Sequence, residues 1–312
     1  MKKCINKTHI EGYVYQHSLK KTISGPNSAH PGTEFISGNL DVATDNAGVN
    51  IVTVHFTYVT AVTSGGKENA TFKVLADIVD GKVGSVMGNG QDKAGMVRID
   101  SAIGLNDFYT DRNGKEELVS AKRNEGGFVH LVTALDEDEK NRNTFDADII
   151  ITEVSIKEAD VEKNLPEKAI IKGAIFDFRN ALLPVEFSVI NPNAIAYYES
   201  LEASAKNPVF TRVKGRQVSE VTTRQITEES AFGEPSVREV KNTRKDYVVT
   251  WGAKEPYVWD DEETITAQEL VKAMGDRQTY LATIKQRQDE YKASKNNTPS
   301  AFATPATTEF KF

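Results

Sequence analysis

The chain has 312 residues, with 38 Lys and Arg against 45 Asp and Glu, so its formal net charge is -7 at pH 7. Hydrophobic residues make up 39% of it, which supports a folded core and excludes a wholly disordered chain. No apolar run could span a bilayer, and residues 1–7 are basic without the apolar stretch of a signal peptide. The single cysteine, Cys4, excludes an internal disulfide framework. We therefore expect a soluble protein of a reducing compartment, the cytoplasm.

Strand-like patterns fill the chain from residue 8 to about residue 251. Two segments alternate apolar and polar side chains, residues 8–15 and 35–43, and a third, residues 50–59, is rich in β-branched and aromatic residues. Both patterns are typical of strands. Further predicted strands are 70–78, 95–105, 118–123, 127–134 and 145–156. Turn signals such as Asn113-Gly114 and Gly126-Gly127 separate them. Many short strands with little helix between them predict a barrel or a sandwich.

A second strand-rich region follows an acid-rich stretch. Its predicted strands are 168–179, 182–190, 209–221 and 239–251, with a helix over 194–205 that Asn193 could cap. Both regions share a plan, because a glycine lies at the centre of each opening strand, Gly12 in one and Gly173 in the other. We interpret residues 1–157 and 166–253 as two related β domains, joined by a linker over 158–165.

The C-terminal part differs in kind. After an acidic loop, Thr266 and Glu269 have the spacing of a helix capping box, and the predicted amphipathic helix runs to about residue 292. Its apolar stripe consists of Leu270, Met274, Arg277, Leu281, Ile284, Gln288 and Tyr291. The helix packs on its own domain or on a partner helix, and the first interpretation is favoured. We assign residues 254–293 to this loop and helix, and predict a disordered tail over 294–312.

Signatures of catalysis are missing from the sequence. It contains no phosphate-binding G-x-x-x-x-G-K-[ST] loop, no H-E-x-x-H motif and no dinucleotide-binding glycine turn. The five histidines are scattered singly, and the acidic residues 136–139 are consecutive, so their side chains diverge. We therefore predict that the protein is not an enzyme and uses neither a cofactor nor a metal.

Aromatic and basic residues alternate along several predicted strands and loops. Single-stranded nucleic acid is held by such a combination, because aromatic rings stack on bases while cations contact phosphates. Arg212, Lys214 and Arg216 alternate on one strand and therefore share one face. The predicted nucleic-acid-binding residues are Tyr13, Tyr15, Lys20, Lys21, Phe56, Tyr58, Phe108, Arg112, Lys122, Arg123, Arg212, Lys214 and Arg216.

Four segments resemble the OB-fold single-stranded DNA-binding proteins. Residues 5–14 are similar to their opening strand with its glycine, and 19–25 to their basic loop ending in Ser-Gly. Residues 33–45 are similar to an alternating strand, and 97–115 to a strand, an aromatic and an Asp-x-x-Gly-Lys hairpin. The long chain, the insertions between residues 59 and 97 and the second β region look most like a bacteriophage-encoded version.

This resemblance implies a mainly β protein with two tandem OB-like barrels, a C-terminal α-helix and a disordered tail. It also implies a protein that coats single-stranded DNA without strong sequence preference in DNA replication and recombination, in the host cytoplasm. The tail lacks the acidic terminus of the bacterial members but ends in aromatics, so Phe310 and Phe312 are expected to recruit replication or recombination proteins. Whether the chain forms a homo-oligomer stays open.

One rival interpretation belongs to a different class. A β-rich virion or assembly protein explains the strands and the missing catalytic motifs equally well, with the helix and tail mediating subunit contacts. A reader of duplex DNA is disfavoured by the acidic balance and by the absence of a basic recognition helix. A membrane partner is not expected.

Overall fold

A computed structural model describes residues 4–159, 166–228, 236–261 and 264–296, without the side chains of 220–244 and 295–296. The described chain is mainly β and ends in a long helix, which confirms this part of the prediction. The strands are β1 (Asn6–His17), β2 (Lys20–Ile23), β3 (Glu34–Ala43), β4 (Ile51–Thr60), β5 (Met96–Arg112), β6 (Lys115–Leu131), β7 (Asn143–Lys157), β8 (Lys168–Phe176), β9 (Leu182–Val189), β10 (Val209–Glu228) and β11 (Ser236–Gly252). The helices are α1 (Ala70–Val79), α2 (Val86–Asn89), α3 (Pro192–Ser200) and α4 (Ala267–Asn296).

Five strands of the N-terminal half pair in a closed cycle, here called the first cycle. Its order is β1–β3–β4–β6–β5 and back to β1, and only the β4–β6 pair within it is parallel. The helices α1 and α2 lie between β4 and β5 along the chain, while β2 adds to the outer edge of β3. Alternate side chains of these strands, such as Ile10, Leu40 and Val54, point inward and form one core with Leu75 and Ile78 of α1.

The second cycle repeats this order with the next five strands. It runs β7–β8–β9–β11–β10 and back to β7, with β9–β11 as its parallel pair and α3 between β9 and β10. Three rings, Phe145, Phe187 and Tyr247, meet in its core with centroids 4.9 to 6.0 Å apart. The strand β7, which lies inside the predicted domain 1–157, contributes four residues to this core, from Phe145 to Ile151.

The two cycles join through strand pairing and through buried amides. β1 pairs with β7 antiparallel, so one sheet of eleven strands contains both cycles in the described residues. Asn124 of β6 and Gln217 of β10 exchange two hydrogen bonds of 2.9 Å between their buried side chains. Asn143 donates to the Gln217 carbonyl at 2.5 Å. Because a buried amide that loses its partner is costly, this arrangement fixes how the cycles sit on each other.

The helix α4 runs along the long β5–β6 hairpin, which extends beyond the first cycle. Arg277 makes a two-pronged ion pair with Asp107, at 2.8 and 2.6 Å, and the two side chains are only 9% and 1% exposed. Further along, the Gln288 side chain bonds both the N–H and the carbonyl of Tyr109. At the hairpin end, Lys285 and Lys292 both bind Glu116 and lower the pKa of its carboxyl. No helix in the described ranges is long and apolar enough to cross a membrane.

Residues 70–78 form a helix, so the prediction of a strand there was wrong. The Asn69 side chain accepts from the Thr71 amide at 3.1 Å and caps α1. Thr71, Leu75 and Ile78 are buried, and their spacing of four and three places them on one helical face. A short apolar run fits both a strand and a buried helix, and here the packing against the first core selects the helix.

The segment 118–134 was predicted as two strands with a turn at Gly126-Gly127, but its residues 118–131 belong to one strand, β6, which ends at Leu131. Both glycines lie within β6, with φ of 59° and 114°. A Cβ on Gly127 would lie 2.3 Å from the Asp100 carbonyl oxygen. The pairing of β5 with β6 shifts register at this point, between Asp100 and Ala102. The glycines therefore make a bulge and bend the strand instead of ending it.

The remaining helices agree with the sequence except at their ends and faces. α3 begins two residues earlier than predicted, because Asn191 and not Asn193 is its cap and accepts from the amides of Asn193 and Ala194, and it ends at Ser200 instead of residue 205. The capping box is confirmed by the Glu269 amide, which donates to Thr266 Oγ1 at 3.2 Å, and the Thr266 amide, which donates to Glu269 Oε2 at 3.0 Å. α4 packs on its own chain, as favoured, although two members of the predicted stripe, Met274 and Tyr291, are exposed.

Candidate nucleic-acid interface

The outer side of β3 and β4 carries an aromatic pair, the half-buried Phe35 and the exposed Tyr58. The rings of Phe35 and Tyr58 lie 4.5 Å apart, and Tyr58 is 43% exposed. Lys20 of β2 pairs with Ser37, so it lies on the same side of the sheet as Phe35. We call this surface the first strand face. Its members are Lys20, Phe35, Asn39, Asp41, Thr53, His55, Tyr58, Arg123 and Glu125.

Polar side chains on this face are linked across the strands. Asp41 accepts from Gln16 at 2.9 Å and from Thr53 at 2.6 Å. His55 lies 2.7 Å from Asn39, and its pKa is lowered by burial and then by the nearby Arg123 charge. Lys245, at the base of the β10–β11 hairpin, reaches over and donates to Thr53 at 3.1 Å. Because its pKa is lowered, His55 contributes a hydrogen-bonding group rather than a positive charge to this face.

The bulge between β3 and β4 corrects the prediction for Phe56. Phe56 and Tyr58 were expected to share a face, but Gly38 pairs with Phe56 and Ile36 with Val59, so β4 has one extra residue there. Gly38 has a φ of 128°, and a Cβ on it would lie 2.5 Å from the Ser18 carbonyl oxygen. Phe56 consequently points into the first core and is fully buried. Its ring has no face open to a base, so it leaves the candidate site.

Of the other predicted residues of the first cycle's N-terminal strands, the two tyrosines of β1 lie beside this face, whereas Lys21 pairs with the inward-pointing Ile36 and lies on the opposite side of β2. Tyr13 and Tyr15 are half-buried on β1, and Tyr13 pairs with Ala43 of β3. Lys21 is bound to Asp80, at the end of α1, by an ion pair of 2.6 Å. The Lys21 charge therefore has a partner within the chain, although an exposed ion pair of this kind contributes little stability.

The β5–β6 hairpin separates its four predicted residues. Phe108 is partly exposed and Arg112 is exposed at the hairpin end. Arg123 lies on the first strand face in an ion pair with Glu125. Lys122 instead points toward the second cycle, where it donates to the Glu186 carbonyl and lies 5.0 Å from the Tyr247 ring centroid. Lys122 thus packs between the cycles, and this burial lowers the pKa of its amine.

The three cations of β10 do lie on one side of the strand, because Val213 and Gly215 between them are buried. Arg212 is held by Asp146 through two bonds of 2.8 and 2.6 Å, which raise the pKa of the guanidinium. Lys214 lies 3.9 Å from Asp146 and 5.2 Å from the Trp251 ring. The structure thus places these cations on the outer side of the second cycle, apart from the first strand face.

Sequence reasoning missed four residues with suitable chemistry. Phe35 and Lys245 belong to or reach the first strand face, while Phe128 and Trp251 are exposed elsewhere on strands. The Gly126-Gly127 pair was the available signal for Phe128, since a bulge turns the following side chain outward. The predicted partner-binding residues Phe310 and Phe312 lie outside the described residues.

Comparisons with known proteins identify one family and solved structures of low sequence identity. The model of a family described as YorF matches residues 5–288. No curated protein matches the chain in sequence. The crystal structure of wild-type single-stranded DNA binding protein from Thermus aquaticus aligns with a TM-score of 0.46 and 11% identity, covering 84% of this chain and 98% of that one. A deletion mutant of that protein aligns with a TM-score of 0.44 and 11% identity, covering 84% and 99%.

Proposed function

The chain belongs to the YorF family, and we propose that it binds single-stranded DNA through the first strand face, without strong sequence preference. The observation that carries this proposal is the Phe35–Tyr58 pair, with the Tyr58 ring exposed, beside Lys20 on a sheet surface rich in hydrogen-bonding groups. Exposed rings on a strand face offer stacking platforms for bases, and every base has a π-face to stack, so such a surface is tolerant of sequence. Lys20 and Lys245 would contact phosphates at its two ends.

We further propose that each cycle is an OB-like barrel. Two features support this: each cycle contains five strands closed by a parallel pair between its third and fifth, and a helix lies between its third and fourth. In OB-folds the face of the second and third strands binds oligonucleotides, together with two of the loops. In the first cycle these strands are β3 and β4, the strands of the first strand face.

The biological setting is a proposal that follows from DNA binding. The protein would coat single-stranded DNA during replication and recombination, in the cytoplasm of a cell infected by a bacteriophage that encodes it. Phe310 and Phe312 would recruit other proteins of these processes. Self-association is left to experiment.

Fluorescence anisotropy tests the central proposal. Labelled oligo-dT and the matching duplex are titrated at two salt concentrations with the full chain and with Tyr58→Ala. We expect tight, salt-sensitive binding to the single strand, and about tenfold weaker binding by the variant, since one stacked base contributes roughly 1–3 kcal/mol.

A matched control keeps that experiment specific. Phe178 is 74% exposed and lies in the turn between β8 and β9, away from the first strand face, so Phe178→Ala removes an exposed ring elsewhere. We expect its affinity to equal that of the unchanged chain. No binding to oligo-dT at low salt would overturn the function, and equal losses in both variants would remove the first strand face from it.

A further inference from the structure

A second continuous surface lies on the outer side of six neighbouring strands, β6, β5, β1, β7, β10 and β11. Cross-strand partners share a side of a sheet, so the pairing register defines its rows. One row is Phe128, Asp100, His9, Thr144 and Arg216, and the next contains Lys7, Asp146, Lys214 and Trp251. We call this surface the second strand face. It crosses both cycles through the β1–β7 pair.

Two large aromatic side chains stand out from this face. Phe128 is 71% exposed and Trp251 is 48% exposed, and neither belongs to a core cluster of the described residues. The bulge at Gly127 turns Phe128 outward, because that glycine is pressed against the Asp100 backbone. Five strand spacings separate the two rings, so their separation across the strands is at most roughly 24 Å, the length these spacings would have in a flat sheet. One small apolar ligand could not contact both rings, whereas a single strand of nucleic acid is long enough to stack bases on both.

The carboxylates of the second strand face are already bound by neighbours. Asp146 is held by Arg212, and Asp100 lies 3.0 Å from His9. Asp148 accepts from the Ile5 amide and the Tyr257 hydroxyl, and Glu11 accepts from the Asp136 amide. These contacts reduce the repulsion that a phosphate would meet on the face.

Its cations, in contrast, are mostly unengaged. Lys7, Arg98 and Arg216 form no ion pair with any side chain that the structure describes, and Lys214 lies at the outer limit of one. Three of these four, Lys7, Arg98 and Lys214, are exposed. Unpaired cations on a surface gain most from a polyanion, because binding it releases counterions without breaking an internal pair.

A groove runs from the Phe128 end of the face to β7, where the two cycles meet. Where the cycles meet at β1 and β7, a cavity of about 470 Å³ opens, lined by Lys7, His9, Asp100, Phe128, Thr144 and Asp146. It therefore has a ring at one side, a free cation at the other and hydrogen-bonding groups between them. This is the combination that holds a base and its phosphate together.

We propose that the second strand face is a second track for single-stranded DNA, separate from the first strand face, with Phe128 and Trp251 as stacking platforms. The proposal rests on the proposed function, since it takes the same ligand. Lys7, Lys214 and Arg216 contact phosphates between the rings. The chain then has two binding surfaces, one contained in the first cycle and one crossing both.

Calorimetric stoichiometry tests this directly. A short oligo-dT of about 8 nucleotides lies within the range that one OB fold covers, and it is titrated at low salt into the full chain. We expect two oligonucleotides per chain. The double variant Phe128→Ala with Trp251→Ala should bind one, and Tyr58→Ala should bind the other about tenfold more weakly. On a long oligo-dT, the double variant should bind at least about tenfold more weakly.

The control and the charge variant separate the outcomes. Phe178→Ala should keep two oligonucleotides per chain. The double variant Lys214→Gln with Arg216→Gln removes two cations and no ring, and it should make the dependence of affinity on salt concentration less steep by up to about two phosphate contacts. One oligonucleotide per chain, unaffected by the double variant, overturns the second track while the proposed function stands. If the full chain binds one oligonucleotide, and this binding is lost in the double variant but retained by Tyr58→Ala, the first strand face is overturned as a binding surface instead. No binding at all overturns both.

Discussion

The two cycles have the same order of strands, yet their corresponding surfaces have different neighbours. In the first cycle the outer side of β3 and β4 carries the Phe35–Tyr58 pair, in which Tyr58 is exposed, and Lys245 and Ser219 of the other cycle donate hydrogen bonds to β4 there. In the second cycle the corresponding strands, β8 and β9, face β6 across a cavity of about 430 Å³, and Lys122 binds the Glu186 carbonyl there. The pairing order thus leaves open which surface a ligand can reach, and the contacts between the cycles decide it.

The largest expected effect comes from two glycines that press against neighbouring strands. A Cβ on Gly12 would lie 2.0 Å from the Ala43 carbonyl oxygen, and one on Gly173 would lie 2.0 Å from that of Ile150. Because neither strand can move away without breaking its ladder, Gly12→Ala and Gly173→Ala should each cost about 3 kcal/mol of unfolding free energy or more. Urea denaturation measures the cost, and hydrogen exchange tells which cycle opens.

Gly25→Ala is the control, since its Cβ would meet nothing within 4 Å. It should change the unfolding free energy by less than about 0.5 kcal/mol. If Gly12→Ala opens only the first cycle, the cycles are independent folding units. If it opens both, the buried amides and the β1–β7 pair couple them. An unchanged stability in both variants would contradict the close approach.

The ion pair between α4 and the hairpin should give the next largest effect. Arg277→Gln leaves the Asp107 carboxylate, 1% exposed, without its cation but with the hydrogen bond from the Ser120 hydroxyl, which we expect to cost about 2–3 kcal/mol. Amide exchange in residues 106–120 should accelerate more than exchange in the second cycle. Arg287→Gln, on an exposed side of the same helix, should change neither quantity. Equal exchange in the two variants would mean that α4 does not hold the hairpin.

The smallest effect should come from the caps of the corresponding helices α1 and α3. Asn69→Ala and Asn191→Ala each remove a side-chain acceptor from a helix N-terminus, at a cost of about 1 kcal/mol. Asn69 also donates to the Thr60 carbonyl at 2.9 Å, so its loss should be the greater. Thermal denaturation compares them, with Asn69→Ser and Asn191→Ser restoring most of each cap. A larger loss at Asn191 would show that the second helix contributes more to its cycle.

Local features were predictable because their causes are local. The strand at residues 8–15 and the Thr266–Glu269 capping box depend on neighbours a few residues apart, and both are present. The helix at 70–78 was mistaken for a strand because its apolar residues fit two periods, and only the first core distinguishes them. Similarly, a Gly-Gly pair has the same conformational freedom in a turn as in a bulge, so the place of Gly126-Gly127 within β6 required the partner strand.

The candidate site also combines features that could be predicted from the sequence with features that depend on tertiary packing. A mainly β chain with a C-terminal helix could be predicted, with aromatic and basic residues on its strands, because side-chain type and a period of two can be read from neighbouring residues. It took the packed fold to show that Phe56 is buried and Tyr58 exposed, that Lys122 packs between the cycles, and that Arg212 is bound by Asp146. A bulge reverses the side of every residue beyond it, and burial depends on strands far apart in sequence.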